Sequence, residues 1–123
     1  MSKHAINWFE LAVTDLDRAR RFYETVLGTE LKPETFGGMP MATFPAAGDA
    51  VGGALVLDAN RKPGAGTRIY LNANGILEEC EKRIEKAGGK VLLPRTDIGD
   101  PGQILLFLDT EGNQVGLHAE RRA

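Results

Sequence analysis

The chain has 123 residues, a formal net charge of −2 and one cysteine, Cys80. This length, with 42% hydrophobic residues, suits one domain with a single core. Acidic and basic residues are interspersed, so the basic stripe that nucleic acid requires is absent. No apolar run approaches the roughly 18 residues of a membrane span, and no signal peptide opens the chain. The sequence therefore predicts a cytoplasmic protein with neither a nucleic-acid nor a membrane partner.

The first half of the chain has the order strand, helix, glycine between Ile6 and Gly28. Every second residue of its first strand is apolar, which predicts one buried face: Phe9, Leu11 and Val13. Thr14, with Asp17 three residues later, is the predicted N-cap of the helix. Gly28 is predicted to end the helix, because glycine readily adopts the positive φ found there.

The second half repeats that order from Thr67 to Gly88. Its strand alternates in the same way, with apolar residues at Ile69, Leu71 and Ala73. Asn74 is the predicted cap of its helix, and Cys80 lies on the apolar stripe of that helix, which predicts a packed core thiol. The repetition predicts an internal two-fold relation, with a ligand site in the cleft between the halves.

Each helix is followed by three strand-like stretches. In sequence order these are 30–32, 41–44, 53–57, 90–93, 104–108 and 114–119. The run from Asp109 to Gly112 predicts a tight turn between the last two. The chain is therefore predicted to be an α+β protein of two βαβββ modules, the first at about 4–59 and the second at about 67–120, joined by a linker at about 60–66.

Two motifs resemble those of a known superfamily. The run from Trp8 to Ala19, with Phe22-Tyr23 and Leu27-Gly28 behind it, resembles the opening of vicinal oxygen chelate proteins, and the run from Phe107 to Asn113 resembles their closing hairpin. That superfamily holds glyoxalase I, bleomycin-resistance proteins and extradiol dioxygenases, and the closest subgroup is the small single-domain glyoxalase-like proteins. The resemblance implies two βαβββ modules forming a cupped mixed β-sheet cleft, usually within a homodimer.

The resemblance also implies where metal ligands would stand. In metal-dependent members, each module gives one ligand from its first strand and one from its last. The matching positions here hold Trp8, Arg68, Gly116 and either Ala54 or Val56. None of these side chains supplies the oxygen or nitrogen ligands that a divalent ion needs. No metal or other cofactor is therefore predicted, and a displaced metal site would use Glu10 and His118.

The alternation of the strands places polar groups on the cleft-facing side. Glu10, Tyr70 and His118 share that side, and a carboxylate, a phenol and an imidazole together can bind a polar ligand or move a proton. They are the predicted catalytic residues, with Glu10 as the base and Tyr70 or His118 as its partner. Two alternatives remain open: Glu10 pairs with Arg68 as a structural bridge, or His118 lies in a frayed, solvated strand end.

Three further residues are predicted to contact the ligand: Trp8, Arg68 and Met41. Glu10 and His118 are expected to face one cavity, because the family's topology is expected to bring the opening strand of one module near the last strand of the other. The charged runs on both helices, which include Arg18 and Glu81, are interpreted as solvated helix faces.

The predicted function is a glyoxalase-like enzyme of the lyase or isomerase type that acts on a small molecule and lacks the usual metal site. The alternative is a non-catalytic protein that binds and sequesters a small molecule, as bleomycin-resistance proteins do. No nucleophile elbow, phosphate-binding glycine loop or zinc-protease motif is present in the sequence. A homodimer is the expected assembly.

Overall fold

The computed structural model describes residues 8–36, 38–48, 50–59, 62–64, 67–99 and 102–121. Most of the predicted linker and the strand start at Ile6 lie outside these residues. Within them the elements are β1 (Trp8–Val13), α1 (Leu16–Leu27), β2 (Lys32–Phe36), β3 (Met39–Thr43), β4 (Gly52–Leu57), β5 (Tyr70–Asn72), α2 (Leu77–Ile84), β6 (Lys90–Asp97), β7 (Gln103–Leu108) and β8 (Gln114–Ala119). No described helix has the length and apolar character to cross a membrane.

The strands form two sheets of four, one for each module. The orders are β1-β4-β3-β2 and β5-β8-β7-β6. In each sheet the first and last strands of the module pair in parallel, and the other neighbours are antiparallel. The registers correspond, because Glu10 lies opposite Ala54 in the first module and Tyr70 lies opposite Gly116 in the second. The predicted α+β fold of two βαβββ modules is confirmed.

Three strands depart from their predicted bounds because pairing decides their extent. β2 begins at Lys32, where the predicted strand ended, and runs to Phe36, while its partner β3 begins at Met39 rather than at Met41. β6 continues past Leu93 to Asp97, as a partner of β7, and its register shifts on either side of Leu93. Such irregularities are typical of edge strands, where proline is tolerated.

The helix starts differ from the prediction. The N-cap of α1 is Asp15, whose side chain accepts a hydrogen bond from the Arg18 amide at 3.0 Å. The predicted cap, Thr14, instead donates from both its backbone amide and its hydroxyl to Glu111, at 2.8 Å each. Asn74 does not cap α2; its side chain accepts from the Glu120 amide at 2.6 Å. Local spacing cannot reveal partners that lie so far along the chain.

The two modules share one hydrophobic core. It combines residues from both sheets and both helices, including Leu11, Phe22, Leu71, Ile84 and Phe107. The Phe22 and Phe107 ring centroids lie 5.9 Å apart, which joins α1 of the first module to β7 of the second. Burying this surface is the main stabilising contribution to the fold.

In both sheets, every second residue along a strand points away from the core. We call this side of each sheet the outer face. On the first sheet the outer face carries Trp8 and Glu10, together with Met41, Ala54 and Val56, which form a separate small cluster. On the second sheet it carries Tyr70, Asn72, Ile104, Gly116 and His118. The sequence alternation therefore assigned these residues to the correct face of each sheet.

Candidate functional site

A cavity of about 460 Å³ lies on the outer face of the second sheet. Its lining combines apolar and polar side chains: Tyr70, Leu71, Asn72, Asn74, Ile98, Ile104, His118 and Glu120. The volume is in the range of small-molecule sites, and a mostly apolar lining with a few convergent polar groups is typical of them. We call it the Tyr70–His118 cavity.

Three neighbouring strands position the polar residues of this cavity. Asn72 on β5 lies directly opposite His118 on β8, and His118 lies opposite Ile104 on β7. Tyr70 precedes Asn72 by two residues and so projects from the same face. The structure thus brings together two of the three predicted catalytic residues, Tyr70 and His118.

The two modules differ at these positions. The residues of the first sheet that correspond in register to Asn72, His118 and Ile104 are Ala12, Val56 and Met41. Val56 and Met41 are buried in an apolar cluster. The first sheet thus carries apolar side chains where the second carries an amide and an imidazole. This difference places the candidate site on the second module.

The ring of Tyr70 lies over Gly116 on the neighbouring strand. A Cβ atom built on Gly116 would come within 2.3 Å of Cδ2 and 2.5 Å of Cε2 of Tyr70, so only glycine leaves room for the ring. Tyr70 is 46% exposed. One side of the ring therefore rests on β8, and the ring remains accessible to a ligand in the cavity.

Asn72 and Asn74 were not predicted as site residues. The Asn72 Oδ1 accepts from the Asn74 amide at 2.9 Å, and the Asn74 Oδ1 accepts from the Glu120 amide at 2.6 Å. Backbone donors therefore hold both carboxamide oxygens in place. Asn72 shares the strand alternation of Tyr70, and that signal was available in the sequence. The role of Asn74 was hidden by its position before a helix, where asparagine usually caps.

His118 is half-buried in a strand that is paired on both sides. The carbonyl of His118 also accepts from the Ala73 amide at 2.8 Å. The alternative that His118 lies in a frayed strand end is therefore wrong. Its neighbours Asn72 and Ile104 fix the backbone from which the imidazole projects.

Glu10 and Trp8 lie together on the outer face of the first sheet. The Trp8 indole donates to the Glu10 carboxylate at 3.2 Å, and Trp8 is 43% exposed. Glu10 is not among the residues that line the Tyr70–His118 cavity. The expectation that Glu10 and His118 face one cavity rested on pairing between modules, whereas β1 pairs with β4 and β8 pairs with β5. That strand argument was wrong for the single chain.

The remaining predicted ligand contacts are also separate from the cavity lining. Arg68 precedes β5, and its guanidinium donates to Gln114 at 3.2 Å. Met41 is buried in the cluster on the first sheet. The ligand-binding roles of Trp8, Arg68 and Met41 stay predictions.

The residues at the family's ligand positions do not fit a divalent ion. Trp8 and Arg68 lack a suitable donor atom, Ala54 is fully buried and apolar, and the ring of Tyr70 occupies the space beside Gly116. Among the described residues, no group of three or more His, Cys, Asp or Glu side chains is placed to hold a metal. The displaced pair Glu10 and His118 lies on two different sheets.

A second cavity, of about 510 Å³, lies beside the start of α2 and the ends of β6 and β8. Both of its cationic side chains form ion pairs within the lining. Arg95 contacts Glu78 at 3.6 Å, and Arg121 contacts Asp97 at 3.0 Å. Because these charges are already paired, the Tyr70–His118 cavity is the better candidate site.

The closing hairpin is held to the start of α1 by Glu111. Burial alone would raise the pKa of Glu111, but hydrogen bonds from Arg18, Thr14 and Asp15 outweigh it and lower the pKa to about 2. Arg18 and Glu81 were interpreted as charges on solvated helix faces. Arg18 is indeed 47% exposed, but both residues also form ion pairs with residues distant in sequence, Arg18 with Glu111 at 2.7 Å and Glu81 with Arg95 at 2.9 Å.

Buried groups beside this hairpin are structural. The Tyr23 hydroxyl donates to buried Asp109 at 2.9 Å, and burial, with the Asp109 charge, raises the pKa of Tyr23 well above its usual value. Burial also raises the pKa of Cys80 to about 11, so its thiol is protonated at neutral pH. Cys80 is fully buried, as predicted.

Comparison with known proteins gives relatives over nearly the whole chain. A protein of Mycobacterium bovis named "Putative glyoxylase CFP32" is 30% identical over 123 residues, which cover 94% of this chain and 46% of that protein. The chain thus spans about half the length of these curated relatives. A "Glyoxylase-like domain-containing protein" of Didymella fabae is 32% identical over 115 residues, which cover 88% of each chain.

A solved structure shows the same fold. The genomically encoded fosfomycin resistance protein FosX of Listeria monocytogenes superposes with a TM-score of 0.70 at 18% identity, and the match covers 98% of this chain and 94% of that one. The sequence model of one family, described as the Glyoxalase/Bleomycin resistance protein/Dioxygenase superfamily, matches residues 5–117. The chain therefore belongs to the Glyoxalase/Bleomycin resistance protein/Dioxygenase superfamily.

Proposed function

We propose that this protein is a glyoxalase-like enzyme of the lyase or isomerase type that acts on a small molecule in the Tyr70–His118 cavity. The observation that carries the proposal is that one cavity is lined by both a phenol and an imidazole, each projecting from a paired strand. Membership of the superfamily supports small-molecule chemistry, although the fold by itself does not name the reaction.

The chemistry is proton transfer by the chain's own residues. Histidine is the side chain that most often serves as a general base, and a tyrosine hydroxyl can donate a proton to a carbonyl oxygen. For an α-hydroxycarbonyl substrate, His118 would remove the proton from the hydroxyl-bearing carbon while Tyr70 protonates the carbonyl oxygen, which gives an enediol. His118 would then deliver its proton to the former carbonyl carbon, while the original hydroxyl gives its proton back to Tyr70 and becomes the new carbonyl. The product is an isomer of the substrate, with no net gain or loss of atoms.

The reaction is proposed to proceed without a metal ion, since the family's ligand positions hold Trp8, Arg68, Gly116 and Ala54. Stabilisation of the developing oxyanion would then depend on hydrogen-bond donors. Tyr70 is one such donor in the cavity.

Glu10, the predicted base, would reach this cavity only if two copies of the chain form a dimer. We propose a homodimer because large apolar side chains are exposed near both outer faces, with Trp8 43%, Tyr70 46% and Ile98 41% exposed. If the first sheet of one protomer covers the second sheet of its partner, Glu10 would face the Tyr70–His118 cavity. Glu10 keeps its proposed catalytic role in that arrangement alone.

The second candidate function is sequestration of a small molecule without turnover. It is favoured by the contact of Glu10 with the Trp8 indole, which engages the predicted base away from the cavity lining. Without Glu10 in the cavity, His118 would hydrogen-bond to the ligand rather than move its proton, and the ligand would be released unchanged.

One experiment separates the two candidates. The protein is incubated with the hemithioacetals that methylglyoxal and phenylglyoxal form with a neutral thiol, in the presence of a chelator, and turnover and binding stoichiometry are measured. For the enzyme we expect multiple turnovers, a loss of about 100-fold in rate for His118→Gln, and a smaller loss for Tyr70→Phe. Lys86→Gln, at an exposed position after α2, is the control and should match the parent.

Tight one-to-one binding without turnover would support sequestration instead. Turnover that is unaffected by both His118→Gln and Tyr70→Phe would contradict the proposed site. Identification of small molecules that co-purify with the protein would name the natural ligand in either case.

A further inference from the structure

The arrangement of polar groups in the Tyr70–His118 cavity limits the chemistry of its ligand. The carboxamide oxygens of Asn72 and Asn74 both accept hydrogen bonds from backbone amides, at 2.9 and 2.6 Å. An Asn side chain has one oxygen acceptor and one NH₂ group with two donors. The backbone amides fix the direction of each oxygen and engage one of its two lone pairs, and the NH₂ groups are the donors that these residues can offer to a ligand oxygen.

The apolar part of the lining has a defined shape. The Tyr70 ring lies against Gly116, where a Cβ atom would come within 2.3 Å of the ring. Ile98 and Ile104 line the same cavity, and Ile98 is 41% exposed. An aromatic ring supported from below is a stacking surface for a planar group, and such contacts contribute beyond simple burial of area.

The charge of the lining further limits the class of ligand that the cavity can bind. The cavity is lined by one carboxylate, that of Glu120, and by no Lys or Arg among the described residues. A carboxylate or phosphate ligand would meet this negative charge without a cation to offset it. A neutral ligand with acceptor oxygens meets the donors without that cost.

We propose that the cavity selects a neutral, planar, conjugated carbonyl compound, whose ring stacks on Tyr70 and whose carbonyl oxygen accepts hydrogen bonds from the NH₂ groups of Asn72 and Asn74. This inference rests on the proposed function, since it names the substrate class of the same site. The same hydrogen bonds would assist proton transfer, because two donors to a carbonyl oxygen stabilise the negative charge that develops there as the enol forms.

The test uses three small probes and a protein labelled for NMR. 1-Indanone has a planar ring and a carbonyl, indane has the ring without the carbonyl, and cyclohexyl methyl ketone has the carbonyl without the planar ring. We expect 1-indanone to bind saturably and to shift the side-chain NH₂ signals of Asn72 and Asn74. Indane and cyclohexyl methyl ketone should each bind about tenfold more weakly, as expected when one hydrogen bond or one stacking contact is lost.

Matched variants test the donors directly. Asn72→Asp and Asn74→Asp keep the oxygen that accepts from the backbone but remove the NH₂ group. Each should weaken 1-indanone binding about tenfold while leaving indane binding within about twofold. Lys86→Gln changes the net charge by the same amount at an exposed position, and it should leave the affinity for every probe unchanged.

The outcomes separate this inference from the proposed function. Equal affinity for 1-indanone and indane, with cavity signals shifted by both, would overturn the carbonyl selectivity while leaving a small-molecule site in place. Tighter binding of 1-indanone to the Asp variants would overturn the donor assignment. If no probe shifts any signal from Tyr70, Asn72 or His118, and the His118→Gln variant keeps full turnover, both this inference and the proposed site are wrong.

Discussion

The most direct test of the fold's electrostatics is the ion pair that joins the closing hairpin to the first helix. Glu111 accepts hydrogen bonds from the Thr14 and Asp15 amides at 2.8 and 3.0 Å and contacts Arg18 at 2.7 Å. Its side chain is fully buried, whereas that of Arg18 is 47% exposed. The change Glu111→Gln keeps an acceptor oxygen for the amides and removes the charge.

The pKa of Glu111 sets the size of the effect. Lowering it from 4.5 to about 2 corresponds to about 3 kcal/mol, at roughly 1.4 kcal/mol for each pKa unit. Because solvent reaches Arg18 and screens the pair, we expect about 2 kcal/mol. For a domain of this size that corresponds to a fall in melting temperature of about 6–10 °C.

The sign follows from the direction of the shift. A carboxylate with a lowered pKa in the folded state stabilises the protein fully above about pH 4.5, and this stability is lost as the pH falls through about 2. Urea unfolding followed by circular dichroism should therefore show Glu111→Gln less stable by about 2 kcal/mol at pH 7, with the difference shrinking below pH 4.5. Glu78→Gln removes an exposed charge and should change stability by less than about 0.5 kcal/mol. A difference between parent and Glu111→Gln that stays constant from pH 7 to 2.5, or that is absent at pH 7, would refute this reasoning.

Further predictions concern the core, the site, its metal content and the assembly. Tyr23→Phe removes the donor that buried Asp109 accepts from at 2.9 Å, and urea unfolding should show a loss of about 1–3 kcal/mol; an unchanged midpoint would contradict this. Gly116→Ala must displace the half-exposed Tyr70 ring, so titration should show ligand affinity reduced about tenfold with little change in stability. Gly53→Ala meets the core-packed ring of Phe9 at 2.3 Å, so it should cost about 1–3 kcal/mol of stability; the opposite ranking of these two glycines would show that the ring placements are wrong. Protein purified without chelator should contain well below one equivalent of zinc, nickel, iron or manganese, and elemental analysis near one equivalent would disprove the metal-free site. Light scattering in dilute solution should give twice the chain mass, and the monomer mass alone would count against the homodimer.

Much of the fold was predictable from local pattern. Alternation at Phe9, Leu11 and Val13 is enough to identify a strand and its buried face, because successive side chains of a strand point to opposite sides. The same pattern at Tyr70 and His118 correctly placed both residues away from the core. The sequence did not reveal the partners of Thr14, Asn74 and Glu111, since each lies far away along the chain. Helix caps assigned from spacing therefore failed where a distant group satisfied the backbone.

The sequence by itself determined the repeated order of elements and the buried face of each strand, because these depend on local periodicity. It also determined the residue types at the family's ligand positions, because these depend on residue identity alone. Only the tertiary structure decided which outer face carries a cavity, since that depends on strand register. Register sets Asn72 and Ile104 beside His118, but sets Ala54 opposite Glu10. It also decided that Tyr70 lies over Gly116 and that the side-chain oxygens of Asn72 and Asn74 accept hydrogen bonds from backbone amides. Those properties come from contacts between strands and loops that no single stretch of the chain contains.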